Sequence, residues 1–248
     1  MEKLLKPANL PLITAATGAV GLLLRLLLFS ATVDSSGYLV AGHPAQAILW
    51  VLTAAVLLAL FLGTRSLQEG NKYSFNFPPS LVGAVGCLLG AASFAITSGV
   101  ELTVYTDTMT VLTSLLGFAS AVCLGFIGYR RWMGKRTNFL LHTAICLYLM
   151  MRLVCQYRHW SSDPQMLDYC FQLLATVFLM LAGYHRAAFA VNRGSRHSYV
   201  FFHLSAVYFC LVSLIGSESI VFYLGAGAWM LTDLCNLSPM PSSKRGEA

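Results

Sequence analysis

The chain has 248 residues, of which 57% are hydrophobic and 10% charged, and its formal net charge is +6. A soluble domain carries about a quarter charged residues, whereas here eight apolar runs recur, each long enough to cross a ~30 Å hydrocarbon core. Soluble, disordered and fibrous classes are excluded, no nucleic-acid partner is expected despite the basic balance, and an all-α polytopic membrane bundle in a lipid bilayer is predicted.

The first span covers 10–30 and is opened by Pro7 and Pro11. Lys3 and Lys6 would suit a signal peptide, but the apolar stretch is about 20 residues rather than ~7–15, carries Arg25 and is followed by no A-x-A site. An uncleaved helix is expected. The second span, 45–63, follows Pro44, and the third, 78–98, begins at Pro78 and Pro79, first-turn positions where a missing N–H costs little. The third and the fourth (108–129) carry small residues at four-residue spacing, Gly86 and Gly90, then Gly117, Ala121 and Gly125, which allow close backbone approach. Next come 138–157 and 165–185, the latter with Asp163 before Pro164 as its N-cap. The last two spans, 199–216 and 218–235, are separated only by a turn at Gly216, where a re-entrant segment is the alternative. No span has an interior proline, so the interrupted-helix signature of many ion-coupled transporters is missing.

Alternate connections differ in charge. One set holds Lys3, Lys6, Arg65, Lys72, Arg130, Arg131, Lys135, Arg136, Arg186, Arg193, Arg196, Lys244 and Arg245; the other holds Asp34, Glu101, Asp107, Asp163 and Glu218 with Arg158 its one basic residue. That bias predicts both termini in the cytoplasm; with no signal for an organelle, the cell's inner (plasma) membrane is the expected location.

Two halves resemble each other. Leu24-Arg25-Leu26 followed by Ser35-Ser36 is matched by Met151-Arg152-Leu153 followed by Ser161-Ser162, and Gly63-Thr64-Arg65 by Tyr184-His185-Arg186. A tandem duplication is expected, with a first half at 1–129, a basic cytoplasmic linker at 130–137 and a second half at 138–248. Each half has an even number of spans, so the repeats would be parallel, related about the membrane normal.

Charges within spans mark the candidate site, because burying them in lipid is costly. At 1.5 Å per residue, Arg25 and Arg152 both lie about 20 Å from the inner boundary, in the outer part of the membrane. The expected ligand-binding set is Arg25, Arg152, Asp168 and Glu218, with the arginines gripping an anionic group. The alternative is structural: the arginines snorkel, or pair with Asp168 and Glu218. Asp168 is the expected partner of Arg152. No cofactor or metal is expected, with haem between His142 and His203 as the alternative, and Asp233 reads as interfacial. The seven cysteines fall within spans without a C-x-x-C pair and read as small buried hydrophobes.

The function expected from these features is a transporter, or a substrate-binding membrane component, for a small anionic or amphipathic molecule. The alternatives are a membrane enzyme acting on lipid or a lipid-linked substrate at the outer leaflet, with Asp163, Asp168 or Glu218 as acid or base, and a non-catalytic sensor or assembly subunit in a homo- or hetero-oligomer. Neither H-E-x-x-H, G-x-S-x-G nor a Walker sequence occurs.

Overall fold

The computed structural model describes residues 10–32, 44–65, 67, 73–105, 107–161 and 169–237. Their regular secondary structure is all helical: α1 (Leu10–Thr32), α2 (Pro44–Arg65), the one-turn α3 (Tyr73–Asn76), α4 (Leu81–Val104), α5 (Thr108–Trp132), α6 (Phe139–Trp160), α7 (Cys170–Ala190), α8 (Arg196–Val212) and α9 (Ile220–Cys235). Six of these, α1, α2 and α4 to α7, are long and apolar enough to span a membrane; α9 is apolar but shorter. The chain is a polytopic helix bundle.

The distribution of side chains is that of a protein solvated by hydrocarbon. Leu12, Val51 and Val122 are 75%, 70% and 74% exposed, while Arg25, Arg152, Arg186, His142 and His203 are buried. Water offers nothing to polar groups at membrane depth, so partners must come from within the bundle. Hydroxyl side chains return to their own helix: Thr53 Oγ1 donates to the Leu49 carbonyl and lies 3.0 Å from the Tyr208 hydroxyl.

Helices α4 to α9 each pack on the next, and α9 closes back onto α4, making a ring of sequential antiparallel neighbours. The α1–α2 pair packs outside this ring against α8. Helix α8 is thereby enclosed by α1, α2, α7 and α9, and twelve of its seventeen residues are buried. The seam that closes the ring is glycine-lined: a Cβ at Gly86 would fall 1.6 Å from Thr232 Oγ1, and one at Gly225 would fall 2.2 Å from Ser93 Cβ.

Helix boundaries depart from the hydropathy pattern for local reasons. Pro78 and Pro79 lie before α4 rather than in its first turn, because Ser80 caps the helix, its hydroxyl accepting from Gly83 N. Asp107 and Asn138 likewise cap α5 and α6, each accepting from the backbone N–H two residues on. Helix α5 continues to Trp132, so Arg130 and Arg131 belong to its last turn and not to the linker expected at 130–137. The turn between α8 and α9 needs Gly216, which has φ +72° and whose Cβ position lies 2.4 Å from Phe29 Cζ. The Asp163–Pro164 cap and Asp168 lie outside the described residues.

Candidate functional site

The antiparallel order of the ring brings the end of α4, the start of α5, the end of α6, the start of α7 and the α8–α9 turn to one face. Glu101, Asp107 and Glu218 all lie there, and this is called the acidic end. At the opposite, basic end lie Arg65, Lys135, Arg136 and Arg193, all exposed, and Arg130, half-buried.

A cleft of about 550 Å³ opens at the acidic end, lined among others by Glu101, Tyr105, Arg152, Gln156, Gln172 and Glu218. Arg152 is its buried cation. Its Nη1 donates to Glu101 Oε1 at 2.7 Å and to the Tyr148 hydroxyl at 3.4 Å, its Nη2 donates to Ser219 Oγ at 3.0 Å, and its Cζ stands 4.1 Å from the Phe222 ring centre. Among the described residues, the carboxylate that meets Arg152 is thus Glu101 of α4.

Other polar groups of the cleft are held in a relay of hydrogen bonds. Gln156 Nε2 donates to the Tyr223 hydroxyl, which donates to the Gln172 carbonyl, and Thr176 donates to Gln156 Oε1. Gln172 Nε2 donates to the Gly216 carbonyl at 2.7 Å, tying α7 to the turn that carries Glu218 and Ser219. Glu218 is exposed at the rim and accepts from the Tyr105 hydroxyl at 3.3 Å. Burial, reinforced by the Glu218 and Glu101 carboxylates, pushes the Tyr105 phenol above its ordinary pKa, so it stays a neutral donor.

The four expected site residues are therefore placed differently. Arg152 and Glu218 share the cleft. Arg25 is buried elsewhere, its Cζ 5.1 Å from the Phe171 ring centre and 5.7 Å from that of Phe29, and it does not line the cleft. Asp168 lies outside the described residues. Glu101 and Ser219, which hold Arg152, had no motif to announce them.

A groove of about 950 Å³ adjoins the cleft and shares Glu101, Tyr105, Glu218 and Ser219 with it. Its remaining walls include Ile96, Val100, Val104, Ile220 and Val221, exposed apolar side chains of α4 and α9. The polar cleft is thus continuous with an apolar track on the outer face of the bundle.

A second charged cluster lies at the basic end. Asp233 of α9 is an ion-pair partner of Arg131 Nη1, stands 3.9 Å from Arg186 Nε and 4.0 Å from His203 Nε2, and is 1% exposed. This corrects its interfacial reading: α9 turns Asp233 inward, toward the two arginines. The Arg131 guanidinium passes over Gly83, where a Cβ would lie 2.5 Å from its Cζ. His203 Nδ1 is 2.8 Å from the Tyr199 carbonyl and His142 Nε2 is 3.0 Å from Thr137 Oγ1. Among the described residues no group of three or more His, Cys, Asp or Glu side chains could hold a metal ion.

No protein family, curated protein or solved structure matches the chain.

Proposed function

We propose that this membrane protein binds a small amphipathic anion from outside the cell, as a transporter or the substrate-binding component of one. The supporting observation is the continuity of the Arg152 cleft with the apolar track between α4 and α9. A carboxylate or phosphate head engages Arg152, whose contacts with Ser219 and with the partly exposed Glu101 carboxylate are exchangeable. The hydrocarbon part lies along Val100, Val104 and Val221, where its burial is favourable by about 25 cal/mol per Å². Its opening faces outward because the basic end, which keeps five basic residues exposed or half-buried, is on the cytoplasmic side.

Dodecyl phosphate is a suitable probe, with dodecyltrimethylammonium as its cationic counterpart. Wild type is expected to bind the phosphate at least tenfold more tightly, and Arg152→Gln to lose that preference, since one charge-assisted hydrogen bond contributes about 1.5–3 kcal/mol. Arg152→Lys should recover only part, having a charge without the fork. Equal binding of the two detergents by wild type, or unchanged phosphate binding by Arg152→Gln, would falsify the assignment. For sidedness, a membrane-impermeant maleimide applied to intact cells should label Asp107→Cys and not Lys135→Cys; the reverse pattern turns the molecule over.

A second reading, a membrane enzyme acting on lipid, is favoured by the same lipid-open track with Glu218 at its rim. Turnover of a bound phospholipid that is lost in Glu218→Gln, with dodecyl phosphate binding intact, is the result that would select it.

A further inference from the structure

The charges in the basic-end cluster do not cancel. Arg131 and Arg186 contribute two positive charges and Asp233 one negative, all 1% exposed, and the other described carboxylates lie at the opposite end. Asp233 engages Arg131 Nη1 and faces Arg186 Nε. The other four guanidinium nitrogens, Arg131 Nε and Nη2 and Arg186 Nη1 and Nη2, are buried without a well-formed hydrogen bond; the Tyr199 hydroxyl beside Arg186 and the Cys87 thiol beside Arg131 are their nearest polar neighbours, and both are neutral groups. Aromatic faces offset part of the charge: Arg186 Cζ stands 3.8 Å from the Phe77 ring centre and 5.7 Å from that of Tyr73. A ring face, however, accepts poorly from the in-plane N–H groups of a guanidinium fork. An oxyanion supplies both the charge and the acceptors.

A groove lies beside the cluster at the same end. A groove of about 850 Å³ is lined by Tyr73, Phe77, Pro78, Pro79, Arg136 and Asn192 among others. Its Phe77 wall is the ring on which Arg186 stacks, so a single aromatic layer separates the groove from the cluster. Arg136, whose Nε donates to the Ala190 carbonyl at 3.0 Å, keeps an exposed cation on the groove.

We propose that the basic-end cluster is a phosphoryl-binding site, distinct from the acidic-end cleft: Arg131 and Arg186 hold the oxyanion, Asp233 orients them, and Arg136 attracts the ligand to the groove. Four donor nitrogens on two forks outnumber the two oxygens of a carboxylate and suit the three or four of a phosphate. The phosphate belongs either to a soluble molecule or to a lipid headgroup at the membrane surface, where basic pockets between helices recognise such heads.

The experiment uses the purified full chain and reads Tm. One arm titrates inorganic phosphate against chloride at constant ionic strength. The other compares nanodiscs containing phosphatidic acid with nanodiscs containing a phosphate-free glycolipid. A saturable rise in Tm is expected in at least one arm; the first arm alone identifies a soluble phosphate, the second alone a headgroup. Arg186→Gln is expected to weaken the apparent affinity at least tenfold and the exposed Arg136→Gln about threefold. Asp233→Asn should have a lower Tm in chloride and glycolipid, and regain most of it with phosphate or phosphatidic acid. If Arg186→Gln does not fold, Arg136→Gln and the rescue of Asp233→Asn decide. No saturable rise in either arm, or wild-type responses from these variants, overturns the proposal. Both arms are repeated in Arg152→Gln, which lacks the cation of the acidic-end cleft: a response that persists there belongs to the basic-end cluster, and one that disappears there overturns the proposal.

Discussion

Replacing Asp233 with alanine is expected to lower stability by about 3–5 kcal/mol, read as a large fall in Tm of the detergent-solubilised protein in chloride buffer. The reason is asymmetry. Asp233 is the one described carboxylate facing Arg131, Arg186 and His203, and both arginines are 1% exposed. Its removal leaves two buried guanidiniums without a counter-charge, which costs more than the original pair contributed. Arg131→Met combined with Asp233→Leu should remain destabilised, because Arg186 keeps its charge. Adding Arg186→Met should restore much of the loss, since well-packed apolar residues replace buried ions at little net cost. A Tm for Asp233→Ala within a degree or two of wild type would show that the cluster is solvated.

Gly225→Val should have the next largest effect, preventing closure of the ring. A Cβ at Gly225 would lie 2.2 Å from Ser93 Cβ and 3.1 Å from the Leu89 carbonyl oxygen. Ser93 Cβ is fixed to the α4 backbone and the Leu89 carbonyl is part of it, so no side-chain rotation relieves either contact and the two helices must separate. Overpacking costs about 1–3 kcal/mol where neighbours can adjust, and the cost here should be at or above the upper figure. Fluorescence-detected size exclusion should show a loss of monodisperse protein. Gly225→Ala with Ser93→Gly should be tolerated better than Gly225→Ala alone, a coupling expected of residues in contact. Gly125→Ala, where nothing lies within 4 Å, should behave as wild type; comparable damage there would mean that general loss of helix plasticity, not the seam, is responsible.

Hydropathy made the helices legible because each must cross or fill an apolar slab, and α1, α2 and α4 to α7 have the length and composition to do so. Arg152 was equally legible, as a charge too deep to be accidental. Its partner was not. Glu101 lies fifty-one positions earlier and meets Arg152 only because α4 and α6 flank α5 in the ring with their ends at the same level. The nearer acid in sequence, Asp168, lies outside the described residues. Arg131 and Asp233 were hidden for another reason. Each occurs near a helix end, where a charge ordinarily faces headgroups, and Arg131 also satisfies the positive-inside pattern. Only the inward rotation of α5 and α9 about their axes, which hydropathy does not report, separates a topogenic arginine from a buried one.

Helix α8 carries Arg196, His197, His203 and Ser205, and nearly all of it is shielded by neighbours. Such a segment gains little by partitioning into lipid on its own. As it leaves the ribosome, α1, α2 and α7 have already been made and α9 has not, so it must be received by a three-sided trough of earlier helices. The insertion machinery is therefore required to hold that trough open until α9 arrives to seal it. Chains truncated just after Val212 should be the species that membrane quality-control proteases remove, whereas chains ending after α7 never expose this polar helix at all.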